Sequence, residues 1–443
     1  MLKTFPKGGI HPAENKLSVG KKIEKIPLPA QVAIPITQHL GAPAEPVVEK
    51  GSEVKAGQLI AKSKGFISAN IHSSVSGKVA KIDEVLDTSG YKQTCIIIDV
   101  EGDEWVETID KSDEIKKEII LSADEIRNKV NEAGVVGLGG ACFPSHVKIS
   151  VPPGKTAEHV IINAVECEPY LTADHQLMME KGEEILVGCK IIQKALDAKK
   201  VYIGIENNKP DAIKYFEKII GEYEDIELCK LKVQYPQGAE KQLIKAAVNR
   251  EVPSGGLPID VGCVVHNVGT TYAIYEAVQK NKPLFERVVT VTGKKVKNPV
   301  NILTRIGTPS NLLIEAAGGL PENTEKIVSG GPMMGKALKI DNIPVTKGTS
   351  GILIFDKSES VRPESFNCIR CARCLTVCPM ALEPYLLKNM SEIGLFEELQ
   401  KERALDCMEC GSCSYTCPSG VPLLDYIRLG KGKLNQILRA KKQ

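Results

Sequence analysis

Residues 368 to 379 read Cys368-Ile-Arg-Cys371-Ala-Arg-Cys374-Leu-Thr-Val-Cys378-Pro379, and residues 407 to 418 repeat this spacing. The second copy carries Cys407, Cys410, Cys413, Cys417 and Pro418. Both copies follow C-x2-C-x2-C-x3-C-P, the spacing of bacterial ferredoxins that bind two clusters. The repeat therefore predicts a C-terminal domain that holds two 4Fe-4S clusters and passes single electrons.

The same spacing predicts which cysteines share a cluster. The first three cysteines of each motif bind one cluster, and the fourth binds the other cluster. The predicted ligand sets are Cys368, Cys371, Cys374 and Cys417 for one cluster, and Cys407, Cys410, Cys413 and Cys378 for the other. Zinc is the alternative, because C-x2-C pairs also form zinc ribbons. Four-coordinate zinc gives no reason for the third regular cysteine or for the prolines, so the repeat favours iron–sulfur clusters.

Composition restricts the remaining possibilities. The 443 residues are 42% apolar and 25% charged, as in an ordinary globular protein of several domains. The net charge of +2 gives no support to nucleic-acid binding. No apolar run is long enough for a transmembrane helix, and the N-terminus lacks a secretory signal, so we expect a cytoplasmic protein. Of 14 cysteines, the six outside the motifs are isolated, which argues against a disulfide framework.

Residues from about 120 to 282 alternate between helical and strand patterns, which predicts an α/β domain with a largely parallel sheet. A capping box at Ser122-Ala-Asp-Glu125 begins a helix that runs to Ala133. Further helices are predicted at 211–220 and 240–248, and strands at 159–163, 200–205, 227–233 and 262–267.

A glycine-rich loop lies between the first helix and the first strand of this domain. Gly134, Gly137, Gly139 and Gly140 fall within seven residues. Such a loop allows close backbone approach to a ligand, and its exposed amides are able to cradle a phosphate. The spacing differs from the dinucleotide fingerprint, and a plain mobile turn is an equal alternative.

Two polar turns follow predicted strands, where ligands bind in open α/β sheets. Asn163, Glu166 and Glu168 follow the first strand as possible hydrogen-bonding partners of a flavin or substrate, with a solvated acidic turn as the alternative. His266-Asn267 precedes Thr270 and Thr271, where a threonine fits a helix N-cap or a phosphate site. A cap alone is the more frequent explanation.

Together, these three segments resemble the flavoprotein subunit of respiratory complex I. That family has a G-x-G-G-A-x-F-P loop, an N-A-x-E-x-E-P turn and an N-V-x-T turn in this order. The matching residues are Gly137, Gly139, Gly140, Phe143, Asn163, Glu166, Glu168, Asn267 and Thr270. The segment Tyr235-Pro-Gln-Gly238-Ala-Glu240 resembles the family segment that closes over the nicotinamide side.

The resemblance implies bound FMN that accepts hydride from NADH. It places Lys148 at the FMN phosphate, and Phe143, Glu168 and Glu240 at NADH. The chain departs from the pattern where Cys142 replaces a glycine and where Val165 and Ala239 replace acids. These departures concern the nicotinamide contacts more than FMN.

Nearly the whole chain resembles the C subunits of the Rnf electron-transport complexes, a family that adds the double cysteine motif and the stretch from Glu166 to His175. The resemblance implies a peripheral subunit on the cytoplasmic face of a membrane complex. It would exchange electrons between NAD(H), FMN, the two clusters and other subunits, including an iron–sulfur subunit that serves ferredoxin. The alternatives are a cobalamin (corrin) reductase of a microcompartment and an electron-relay subunit with an empty flavin pocket.

The flanking regions complete a multidomain fold that combines α+β and α/β parts. The segment 47–61 resembles half of a lipoyl-type barrel, yet no lysine stands at the tip near Phe66 and Ile67, which favours a structural or docking role. Residues 284–340 resemble a β-grasp domain. Helical periodicity spans 383–403. The basic tail from Arg428 to Lys442 is interpreted as a solvated helix end, and contact with an anionic membrane surface or partner is the alternative. The predicted domains are 1–25 (N-terminal arm), 26–115 (barrel-sandwich), 116–283 (FMN/NADH-binding α/β), 284–345 (β-grasp) and 346–443 (double 4Fe-4S).

Overall fold

The computed structural model describes residues 2 to 441. An N-terminal arm leads through a short strand into a small barrel-like domain made of two sheets, in the orders β2-β8-β7-β4 and β3-β5-β6. Buried aliphatic side chains from both sheets fill the space between them. The strands are β1 (Ile23–Lys25), β2 (Gln31–Pro35), β3 (Glu45–Pro46), β4 (Glu53–Val54), β5 (Leu59–Lys62), β6 (Ile71–His72), β7 (Gly77–Leu86) and β8 (Lys92–Val100).

The barrel domain packs against the next domain beside the glycine-rich loop. The amide of Leu40 donates to the carbonyl of Cys142 at 3.2 Å. The ring of Phe66, at the tip where a carrier domain bears its modified lysine, meets the ring of His146 edge-on. The tip is therefore used as a contact between domains.

The α/β domain has a four-stranded parallel sheet in the order β11-β10-β9-β12. Helices α1, α4 and α7 cover one face and α6 covers the other, so the aliphatic strands are buried on both sides. The elements are α1 (Ala123–Glu132), α2 (Ser145–Lys148), β9 (His159–Asn163), α3 (Ala173–Glu180), α4 (Gly182–Leu196), β10 (Lys200–Glu206), α5 (Pro210–Ile219), β11 (Ile226–Leu231), α6 (Glu240–Val248), β12 (Cys263–Asn267) and α7 (Val268–Lys280). Short 3-10 turns lie at Ile220–Glu222 and Pro258–Val261.

The third domain is a six-stranded mixed sheet in the order β1-β14-β13-β17-β15-β16, with α8 packed on its core. Its elements are β13 (Glu286–Thr292), β14 (Val300–Arg305), α8 (Ser310–Ala316), β15 (Thr324–Ser329), β16 (Lys336–Ala337), β17 (Gly351–Asp356) and α9 (Lys357–Ser360). The predicted boundary at residue 345 is wrong, because β17 is a central strand of this sheet. The predicted N-terminal arm, residues 1–25, also contains part of this sheet, because β1 is its edge strand.

The last domain is helical and folds around the cysteine motifs. Its elements are α10 (Arg373–Thr376), α11 (Pro384–Ile393), α12 (Phe396–Lys401), a 3-10 turn (Ala404–Asp406), α13 (Ser412–Tyr415) and α14 (Leu423–Ala440). The helical periodicity predicted over 383–403 corresponds to two helices, because Gly394 adopts a φ of +77° and ends the first. The basic tail lies largely on α14, whereas Lys442 lies outside the described residues. Within residues 2–441, no helix combines the length and apolar character needed to cross a bilayer.

Candidate functional site

Two asparagines meet at the carboxyl edge of the parallel sheet. Asn163 ends β9 and Asn267 ends β12, and the two are register partners on neighbouring strands. After β9 the chain adds β10 and β11 on one side of β9, and it then adds β12 on the other side. The gap between β9 and β12 is therefore the topological switch point of the sheet. Ligands of open α/β sheets bind in the crevice at such a point. The side-chain amide of Asn163 donates to the carbonyl of Gly238 at 2.7 Å, which brings the segment 235–240 to the same crevice.

The glycine-rich loop lies directly over this crevice. The amide of Leu138 donates to the hydroxyl of Thr270 at 2.8 Å. A Cβ atom on Gly139 would lie 2.8 Å from Nδ2 of Asn267, so only glycine allows this approach. The predicted threonine cap of α7 is wrong. The cap is Asn267, whose Oδ1 accepts from the amide of Thr270 at 3.2 Å, because the Thr270 hydroxyl is used by the loop.

The loop has the properties of a phosphate cradle. Gly139 and Gly140 are exposed, and a Cβ atom on Gly140 would meet open space. Within the described residues, the amides of Gly139 and Gly140 donate to no acceptor of the chain. Free amides beside the N-terminus of the 13-residue helix α7 suit an anion. The residues present therefore fit the phosphate of FMN.

Lys148 lies at one side of the same crevice. Its ammonium group donates to Oε1 of Glu240 at 2.7 Å and to the carbonyl of Val265 at 2.8 Å. The structure thus brings together two residues to which the resemblance gave different ligands, the FMN phosphate for Lys148 and NADH for Glu240. The side chain of Phe143 is half-buried at the end of the glycine loop.

Glu166 is used inside the protein. Its two carboxylate oxygens accept from the amides of Asp174 at 2.8 Å and His175 at 3.1 Å, at the start of α3. Asp174 in turn accepts from Nδ2 of Asn267 at 2.7 Å. Burial and the nearby Glu166 raise the pKa of Asp174 to about 7. Asp174 therefore orients the Asn267 side chain, and Glu166 holds the backbone amide of Asp174.

Glu168 connects the α/β domain to the β-grasp domain. Its oxygens accept from the amides of Met333 at 3.0 Å and Met334 at 2.9 Å, in the turn 329–335. A Cβ atom on Gly331 would lie 2.2 Å from this carboxylate, so that turn needs glycine there. Burial outweighs these hydrogen bonds and raises the pKa of Glu168 to about 7.

The cysteines of the second predicted set line a single cavity. Its lining includes all four predicted ligands together with Met380, Leu387, Met408, Leu424 and Ile427. Burial raises the pKa of Cys413 to about 12, and the neighbouring Cys407, Cys410 and Cys378 act in the same direction. Four thiols around one apolar cavity fit a 4Fe-4S cluster. Among residues 2–441, no three His, Cys, Asp or Glu side chains are grouped closely enough to hold a single metal ion.

The first predicted set lies at the surface. Cys374 is close to both Cys368 and Cys417. Burial raises the pKa of the Cys374 thiol most, and these two neighbouring cysteines raise it as well. This arrangement supports the exchange of fourth cysteines between the motifs that the spacing predicts. Cys368 and Cys371 are exposed, whereas Cys410 and Cys413 of the other set are buried.

Comparisons with known proteins agree with this geometry. Family models match residues 3–103 (RnfC barrel sandwich hybrid domain), 130–276 (Nuo51 FMN-binding domain), 288–337 (SLBB domain) and 360–418 (4Fe-4S dicluster domain). The chain is 48% identical over 404 residues to the C subunit of the proton-translocating ferredoxin:NAD(+) oxidoreductase complex of Clostridium ljungdahlii, covering 91% of this chain and 87% of that protein. The chain belongs to the RnfC family.

Two other members of the RnfC family are similar along almost the whole chain. The C subunit of the Na(+)-translocating ferredoxin:NAD(+) oxidoreductase complex of Acetobacterium woodii is 44% identical over 438 residues, 97% of this chain and 96% of that protein. The C subunit of the ion-translocating oxidoreductase complex of Rhodobacter capsulatus is 40% identical over 437 residues, 97% and 83% of the two chains. This agreement favours the RnfC family over a cobalamin reductase.

In this RnfC protein, the buried cysteine set lies against the flavin-type domain. The hydroxyl of Tyr235 donates to the carbonyl of Cys410 at 2.8 Å. Ile10, Tyr235 and Cys410 form one apolar cluster, which Cys167 and Met333 extend. On the flank of the domain, Nε2 of Gln242 donates to the carbonyl of Pro379 at 3.1 Å. The cavity of Cys378, Cys407, Cys410 and Cys413 is thus the one next to the flavin crevice.

Sequence reasoning missed three charged residues of this region. Asp174 orients Asn267, Lys16 binds the turn 166–171, and Arg287 is buried beneath the glycine loop with Nη2 3.4 Å from the carbonyl of Leu138. Each acts across a long sequence separation: Lys16 from the arm, Arg287 from the next domain and Asp174 from within the α/β domain. The stretch from Glu166 to His175, which contains Asp174, gave the only sequence signal for any of them.

The raised pKa of Glu168 predicts a pH-dependent stability. A carboxyl with a pKa of about 7 in the folded protein and 4.5 unfolded stabilises the fold below pH 4.5. This contribution, about 3 kcal/mol, is lost as the pH rises through 7. We expect the urea midpoint of the cofactor-free protein to fall between pH 5 and pH 8, and to fall less in Glu168→Gln. Equal pH dependence in both proteins would contradict the assignment.

Proposed function

We propose that this chain exchanges hydride between NAD(H) and FMN and passes single electrons between FMN and two 4Fe-4S clusters. The contact between Tyr235 and Cys410 carries this proposal. It joins the segment at the flavin crevice directly to a ligand of the buried cluster site. The relatives from Clostridium and Acetobacterium are subunits of complexes named for ferredoxin and NAD(+), which supports the substrates.

The protein's part in this reaction is to hold and orient its cofactors. FMN supplies the chemistry that turns a two-electron hydride transfer into one-electron steps. The amides of Gly139 and Gly140, the helix N-terminus at Asn267 and the Lys148 ammonium group would hold its phosphate end. Asn163, Gly137, Gly238 and Thr270 shape the crevice, and Phe143, Tyr235 and Glu240 border the space for NADH.

Neither Glu166 nor Glu168 is free to act as a simple surface acceptor. Glu166 holds backbone amides at the start of α3, and Glu168 holds amides of the turn 329–335. A carboxylate retains further lone pairs after accepting two such bonds. We assign Glu166 and Glu168 to shaping the crevice. Any contact of their carboxylates with a cofactor would be made in addition to the bonds with the backbone amides. Hydride transfer requires no acid or base from either residue.

Burial suggests the order of the two clusters. The set with Cys410 and Cys413 is buried beside the flavin crevice, whereas Cys368 and Cys371 are exposed. The first set would exchange electrons with the flavin and the second with another subunit of the complex. The partners would include an iron–sulfur subunit that exchanges electrons with ferredoxin. The chain would lie peripherally on the cytoplasmic face of the membrane.

Anaerobic reconstitution with iron, sulfide and FMN, followed by NADH titration, tests the proposal. We expect flavin absorbance to bleach and EPR signals of reduced clusters to appear together. Clusters that form but stay oxidised beside an unbleached flavin would overturn the NADH assignment. Clusters that form in a protein unable to bind FMN would leave an electron relay without flavin.

A further inference from the structure

The N-terminal arm is bonded to the sheet edge and to the segment at the flavin crevice. Lys3 donates to the carbonyl of Lys230 at 3.0 Å and accepts from the amide of Lys232 at 2.9 Å, which extends the sheet beyond β11. Ile10 and Tyr235 exchange two backbone hydrogen bonds of 2.8 and 2.9 Å. Tyr235 is the residue whose hydroxyl reaches Cys410, so the arm supports the contact between the two cofactor sites.

The arm also touches the cysteine motif itself. The amide of Gly9 donates to the carbonyl of Val377 at 2.9 Å. A Cβ atom on Gly8 would lie 2.6 Å from the carbonyl carbon of Cys378 and 2.7 Å from the nitrogen of Pro379. These are backbone atoms next to a predicted cluster ligand, so neither side is free to give way. Gly8 therefore allows a close approach that no other residue permits.

Further along the arm, Lys16 holds the turn at the flavin crevice. Its ammonium group donates to the carbonyls of Glu166 at 2.8 Å, Glu168 at 2.9 Å and Leu171 at 2.6 Å. The amide of Tyr170 donates to the carbonyl of Glu14 at 2.8 Å. Three converging carbonyls match the three donors of an ammonium group. The turn that carries both glutamates is thereby fixed to the same arm that binds the cysteine motif.

We propose that the arm, residues 3–18, is a positioning element that sets the spacing between the flavin crevice and the buried cluster site. This inference rests on the proposed function, because the spacing matters only if electrons cross it. NADH delivers two electrons and a proton to FMN as hydride, each cluster accepts one electron, and the proton is released to water. Electron transfer between fixed groups slows steeply with distance, so a displacement of the arm at Gly8, where it meets the cysteine motif, would slow the second step.

A matched pair of glycine substitutions in the full-length, reconstituted protein tests this role. Gly8 and Gly20 have nearly equal positive φ angles, +71° and +75°, but a Cβ atom on Gly20 would meet nothing within 4 Å. Gly8→Ala and Gly20→Ala thus carry the same backbone strain, and only the first pushes against Cys378. In stopped-flow experiments with NADH, we expect both variants to reduce flavin at the wild-type rate. Gly8→Ala should reduce the clusters about tenfold more slowly. Misplacement of reacting groups by about 1 Å can lower a rate by on the order of 100-fold, and we expect a smaller displacement here.

Two further readouts separate positioning from a loss of folding. Hydrogen exchange at Gly9 and in residues 373–380 should rise in Gly8→Ala and stay unchanged in Gly20→Ala. Lys16→Met should weaken FMN binding, and Lys16→Arg should restore it in part. Equal cluster reduction in both glycine variants would overturn the role of the arm. Wild-type protein whose flavin is not reduced by NADH would instead overturn the proposed function.

Discussion

Cys410→Ala should stop rapid electron transfer from the flavin while NADH still bleaches the flavin. The thiol of Cys410 lines the buried cavity, and its carbonyl accepts the Tyr235 hydrogen bond. Without this ligand we expect the cluster beside the flavin crevice to be lost, which leaves only the cluster of the more exposed cysteine set. We expect the rate of cluster reduction to fall by on the order of 100-fold, the scale seen when reacting groups are misplaced. EPR after rapid freezing and the iron content, halved from two clusters to one, measure the result.

Cys371→Ala is the matched control, because Cys371 belongs to the exposed set. Its iron content should also be halved, yet the remaining cluster should be reduced at the wild-type rate. What this variant loses is delivery to an external acceptor. The proposed order of clusters is contradicted if Cys371→Ala slows the first transfer and Cys410→Ala does not.

Gly139→Ala should release FMN. The added Cβ atom would lie 2.8 Å from Nδ2 of Asn267, which Asp174 and the cap of α7 hold in place. Overpacking of this kind costs about 1–3 kcal/mol, so the loop will move rather than the asparagine. We expect FMN affinity to fall by about tenfold or more, with each factor of ten worth about 1.4 kcal/mol. Fluorescence titration of the cofactor-free protein with FMN measures it.

Gly140→Ala separates a ligand contact from a folding defect. A Cβ atom there meets no protein atom within 4 Å, so the cofactor-free variant should unfold at the wild-type urea midpoint. If FMN lies against the loop, its affinity should still fall. Wild-type FMN affinity in both glycine variants would exclude this loop as the cradle.

Most elements of the α/β domain follow from local sequence. The capping box at Ser122 and the helix Glu240–Val248 are confirmed, because a cap and a 3.6-residue period are short-range patterns. The four strands are confirmed within two residues, since aliphatic runs buried on both faces read clearly in sequence. The division of 383–403 at Gly394 escaped prediction, because glycine in a helical pattern breaks the helix only when the fold uses a positive φ.

Domain boundaries and the arm depended on contacts distant in sequence. The strand Gly351–Asp356 joins the β-grasp sheet beside Glu286–Thr292, and nothing near residue 345 signals that pairing. The roles of Lys16, Asp174 and Arg287 likewise arise from partners more than 90 residues away.

The sequence by itself predicted the ligands of two cluster sites and the order of the cofactor-binding segments along the chain. The spacing of the ligands is a short-range pattern. A glycine-rich loop and an asparagine at a strand end are also short-range patterns, so all of them can be recognised without the tertiary structure. Only the tertiary structure decided which cluster site faces the flavin crevice, that Glu166 and Glu168 hold backbone amides, and that the arm joins both sites. Burial and hydrogen-bond partners are created when distant segments pack together, and packing alone decides which polar groups are left free to bind a ligand.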